Sequence, residues 1–164
     1  MKLRNAWTIA ALVALSAAPA AAQSTAAAAK HDEGTIQSRG GTALANVGGP
    51  LATRLQGRPV VVRIHADWCP ACKETEPVLD GVKQKYGDKV SFVTFDVTNA
   101  KTAATAADAA KADGLATFFD ATKAATSTVV VIDPKSGAVI AELYNDTEVA
   151  DYTKAIDRAL KRAK

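Results

Sequence analysis

A chain of 164 residues, 48% of them hydrophobic, is long enough for one domain with its own core. Its formal net charge of +3 falls to +1 without residues 1–22, which hold Lys2 and Arg4 and no acid. No basic stretch interleaves with aromatics, so the electrostatic footprint of a nucleic-acid-binding protein is missing.

The first 22 residues have the build of a secretory leader. Lys2 and Arg4 form a basic start, Ala6 to Ala18 an apolar core, and Ala20-Ala21-Ala22 offers small residues where a signal peptidase reads. Cleavage is expected after Ala22. A membrane anchor is the alternative, but the apolar core is short for a bilayer. The leader has a bacterial look, which places the mature chain in the oxidising periplasm. Residues 23–43, rich in Ala, Ser, Thr and Gly, have little to bury and are expected to form a flexible arm. The folded domain is expected over residues 44–164.

Leu44, Val47, Leu51 and Leu55 recur near helical spacing, interrupted by Gly48-Gly49-Pro50, which predicts a short or broken helix. Val60 to Ile64 is a β-branched run and reads as a central strand. A helix follows over Lys73 to Tyr86, with Val78, Val82 and Tyr86 on one face. Val90 to Val97 is apolar on both faces, as for a strand covered on both sides. Lys101 to Asp113 is Ala-rich and helical, stopped by Gly114, and Phe118-Phe119 anchors a further short helix. Strands at Thr128 to Ile132 and Ala138 to Leu143 flank a turn at Asp133 to Gly137. Tyr152, Ile156 and Leu160 mark a last amphipathic helix. This order predicts an α/β domain with a central mixed sheet and helices on both faces.

The two cysteines, Cys69 and Cys72, lie between the first strand and its helix. A thiol at a helix N-terminus meets unpaired N–H groups and the positive dipole end, both of which favour the thiolate. Pro70 suits the first helical turn. Cys69 is therefore expected to attack a disulfide and Cys72 to resolve the mixed disulfide. A bridge across so small a loop adds little stability, which argues against a purely structural pair.

The run Ala66-Asp67-Trp68-Cys69-Pro70-Ala71-Cys72-Lys73, with Pro77 five residues after Cys72, resembles the thioredoxin family. The resemblance covers about residues 44–164. It implies a thioredoxin-like fold and a thiol–disulfide oxidoreductase of the protein-disulfide reductase type. It implies no cofactor, a monomer, client proteins with disulfides, and a membrane protein that donates electrons. Trp68, Pro70, Ala71 and Lys73 become neighbours of the reactive pair.

The chain departs from the family pattern in three places. An acidic residue usually stands six positions before the first cysteine; Arg63 stands there instead. It either lowers the pKa of a thiol or snorkels outward to pair with a carboxylate. The family's cis-proline loop is replaced by Thr126-Ser127-Thr128, with Ser127 where the proline would be and a trans peptide expected. Twelve residues separate Gly114 from Ser127, more than thioredoxin needs, and Phe118 and Phe119 there are core anchors or a partner-binding lip.

His65, four residues before Cys69, either packs beside its strand, tunes a thiolate or joins the two cysteines as a metal ligand. His31 falls in the arm and is given no role. Loss of the proline motivates a second reading, a copper(I)-handling protein using Cys69, Cys72 and His65. A redox-inert module with the same fold is a third.

Overall fold

The computed structural model describes residues 36–37 and 44–163; the expected leader, His31 and the rest of the expected arm lie outside them. Five strands form one sheet: β1 (Ile36–Gln37), β2 (Val60–His65), β3 (Ser91–Asp96), β4 (Thr128–Ile132) and β5 (Val139–Tyr144). Their spatial order is β1-β5-β4-β2-β3. β2 runs parallel to β3 and antiparallel to β4, β4 pairs antiparallel with β5, and β1 pairs parallel with β5. The mixed sheet expected from the chain order is therefore present.

The period-two alternation of the strands sorts side chains between two cores. Val60, Val62, Ile64, Val130 and Ile132 meet α2 (Ala100–Asp113), α3 (Ala116–Thr122) and the segment around Leu51. Val61, Val129 and Val131 meet α1 (Pro70–Tyr86) and α4 (Val149–Arg162). All five residues of β4 are buried, which matches its β-branched sequence of one threonine and four aliphatic residues. α2 opens on an Asn99–Thr102 capping box and closes on Gly114 in the left-handed region. α3 buries Phe118 and Phe119, and Phe119 meets Phe95 edge-on at 5.5 Å between centroids. The two phenylalanines are thus core anchors rather than a partner-binding lip.

Two expectations are corrected. The Leu44–Leu55 stretch is not a helix; only Thr53–Leu55 forms a 3₁₀ turn. Val47, Leu51 and Leu55 are nevertheless buried, because an irregular chain hydrogen-bonded to the β4–β5 turn carries them to the core. β3 lies at the sheet edge, yet Val93 and Phe95 pack into one core and Phe92 against the other, so the expected cover on both sides is present in part; Thr94 is exposed. Ile36 and Gln37, inside the expected flexible arm, add a two-residue strand at the opposite edge.

Candidate active site

β2 delivers the chain to the site, and α1 starts at Pro70, with Cys69 at its N-terminus as expected. Cys69 is the N-cap: its Sγ accepts the Cys72 backbone N–H at 3.1 Å, as a Ser or Asp oxygen would at such a position. Pro70 fills the first helical position, where no N–H is needed. Both cysteines are free thiols and both are buried. The Cys72 Sγ lies 3.9 Å from the Ile64 carbonyl oxygen.

Burial pushes both thiols up, and hydrogen bonding then separates them. At Cys69, burial is outweighed by bonds from the Cys72 thiol, the Thr126 side chain and the backbone N–H groups of Cys72 and Ala71, so its pKa falls below the usual thiol value. At Cys72, burial is joined by the hydrogen bond to Cys69 and the repulsion of its charge. A backbone bond from Ala66 and the charge of Arg63 oppose this, and the pKa ends above the usual value.

Trp68 is 61% exposed and its indole Nε1 donates to the Thr98 carbonyl at 2.9 Å. Thr98 Oγ1 accepts the Asp67 N–H at 3.0 Å, so one threonine after β3 holds two residues of the reactive loop. Lys73 is exposed, and Ala71 packs partly buried against the cysteines.

Ser127 is buried, with φ +67°. No peptide bond among the described residues is cis. Its N–H donates to the Ile64 carbonyl at 2.9 Å, the same oxygen that Cys72 approaches. Its Oγ is 3.5 Å from Thr75 Oγ1, which in turn donates to the Cys72 carbonyl at 3.1 Å. Thr126, Thr75 and Thr98 are contacts that sequence reading missed. Only Thr126 had a local signal, as the neighbour of Ser127.

Arg63 and His65 share the α1 side of β2 with Val61. Arg63 donates to His65 Nδ1, and His65 Nε2 is 3.1 Å from Asp67 Oδ1. Both ring nitrogens are thus engaged away from the sulfurs. Among the described residues no three His, Cys, Asp or Glu side chains form a group that could hold a metal ion, so the Cys69–Cys72–His65 ligand set is not assembled.

The thioredoxin family model matches residues 51–133, just over half of the chain. The chain belongs to the thioredoxin family. A chloroplastic thioredoxin-like protein of Arabidopsis thaliana, HCF164, is 47% identical over 45 residues, which are 27% of this chain and 17% of that protein. The TxlA homolog of Synechocystis, a thiol:disulfide interchange protein, is 45% identical over 53 residues, 32% of this chain and 29% of the relative. This thioredoxin-family chain therefore spans less than a third of the length of either relative. Among solved structures, a thioredoxin-family thiol:disulfide interchange protein of Chlorobium tepidum is 19% identical, with a TM-score of 0.49 over 71% of this chain and 98% of its own.

Proposed function

We propose that the chain is an exported thiol–disulfide oxidoreductase that reduces disulfides of client proteins in the periplasm. The observation that carries this reading is the opposite displacement of the two thiols around one cap: Cys69 favoured as thiolate, Cys72 held as thiol. Such a pair has a ready nucleophile and a protonated reserve. The names of its interchange-protein relatives point the same way.

The Cys69 thiolate attacks a client disulfide, forming a mixed disulfide and expelling the client's second sulfur as a thiolate. Cys72 then loses its proton and attacks the Cys69 sulfur. The Cys69–Cys72 bond closes and the client leaves with both thiols reduced. Two electrons have passed to the client, so a dithiol donor must reduce the pair again; a membrane protein suits an exported reductant.

Cys72→Ser should trap mixed disulfides with periplasmic proteins on non-reducing gels, and Cys69→Ser should trap none. Equal trapping by both, or by neither, would refute the exchange mechanism. Direction is read from the potential of the pair: near about −270 mV it is a reductant, near about −120 mV an oxidant.

A further inference from the structure

The place where the family carries an acid beside the resolving cysteine holds Arg63, and its side chain is only 12% exposed. An arginine neither takes nor gives a proton in this pH range, so it cannot relay one. What it offers is a fixed positive charge, and its partners decide how much of that charge is left over.

Arg54 makes a useful contrast. It grips the buried Asp113 with two nitrogens, one of them at 2.7 Å, and its charge is matched by a carboxylate. Arg63 is held differently. Its hydrogen bond goes to His65 Nδ1, a neutral acceptor, since a guanidinium only donates and that nitrogen must carry a lone pair. The His65 proton is thereby placed on Nε2, facing Asp67. The nearest carboxylate on Arg63 is Glu76, at 3.6 Å, half exposed and beyond hydrogen-bond distance. Glu76 sits one helical turn after Cys72, so the guanidinium lies along the first turns of α1. A cation tied to a neutral ring and loosely matched by an exposed acid keeps much of its field for its neighbours.

We propose that Arg63, tethered by His65, is a positioning residue whose charge assists Cys72 in attacking the Cys69 sulfur and so resolving the mixed disulfide. This rests on the exchange reading above. In the resolving step the Cys72 proton passes to solvent, the new thiolate attacks the Cys69 sulfur, and the bond to the client breaks as its sulfur departs with the electron pair. Arg63 stabilises the thiolate that forms, and the pull of its charge on Cys72 has the same sense. The charged and titratable groups that face the guanidinium are His65 on its own strand, Glu76, Asp80 and Lys83 on α1, and Tyr152 on α4.

The test uses the full reduced protein and dithiobis(nitrobenzoate), a small aromatic disulfide. Attack by Cys69 releases a first thionitrobenzoate; attack by Cys72 on the resulting mixed disulfide releases the second. The two coloured phases separate the two thiols in one trace. Arg63→Met should slow the second phase about tenfold at neutral pH, move its pH midpoint upward, and leave the first phase within about twofold. Arg63→Lys should recover part of the rate. Glu76→Gln, at a half-exposed site, should speed the second phase because it frees more of the arginine's charge. An unchanged second phase in both Arg63→Met and Glu76→Gln would overturn the proposal while leaving the exchange reading intact. A wild-type protein with no second phase would overturn the exchange reading itself.

Discussion

At the level of single residues, the two thiols set opposite pH dependences on the reduced protein. The Cys69 pKa is lower in the folded state than in the unfolded chain, so stability rises as pH climbs from the folded value to the ordinary thiol value. The Cys72 pKa is raised, so its contribution is present below the ordinary thiol value and is lost as pH rises through the folded one. Urea unfolding of the reduced form should therefore show stability climbing into the mildly alkaline range and then falling. Cys69→Ser should remove the climb and Cys72→Ser the fall. Ser127 offers a second check. Its φ of +67° and its N–H bond to Ile64 both oppose proline, so Ser127→Pro should cost about 3 kcal/mol or more unless the whole loop rearranges. Ser127→Gly, free to adopt that φ, should stay within about 1 kcal/mol of wild type in the same assay.

Among the elements, those with a strong period were legible and those shaped by distant contacts were not. Val60 to Ile64, broken only by Arg63, and Thr128 to Ile132 announce buried strands by β-branched runs, and both are strands with covered faces. The Cys69-Pro70 start of α1 was readable from the proline, which suits a first helical turn, whereas the role of the Cys69 sulfur as the cap was not. β3 was legible as a strand with apolar residues on both faces, but its place at the edge was not, because sheet order is a property of the whole chain. Leu44 to Leu55 misled because spacing near four also suits a chain laid irregularly over a core. That segment is held at the β4–β5 turn, where Gly137, at φ +74°, lies against Gly49; an added Cβ would sit 2.0 Å from the Gly49 carbonyl oxygen. Gly137→Ala should therefore lower stability by at least about 2 kcal/mol and loosen the 44–55 segment first, seen as faster amide exchange there.

At the scale of the molecule, a mixed sheet with a core on each face supports a site built at one strand end, and four of its five strands followed from the order of the runs. What the order could not supply was the polar lining. Thr75, Thr98 and Thr126 come from three separated elements, and Arg63 gains its meaning only from His65 and Glu76 beside it. The proposed export makes a prediction about the whole chain: after expression in a bacterial host, the intact mass of the protein recovered from the periplasm should correspond to a chain beginning at Gln23, and a species retaining Met1 would contradict cleavage after Ala22.

Processing at that point would also change what light reports. The chain has two tryptophans, Trp7 and Trp68, and the first would leave with the leader. The remaining indole stands next to Cys69, pinned through its nitrogen to the Thr98 carbonyl. Its emission would then come from a single indole beside the sulfurs, where a disulfide quenches more strongly than a dithiol. The intrinsic fluorescence of the unmodified protein would serve as a continuous gauge of its oxidation state, needing no label and no engineered reporter.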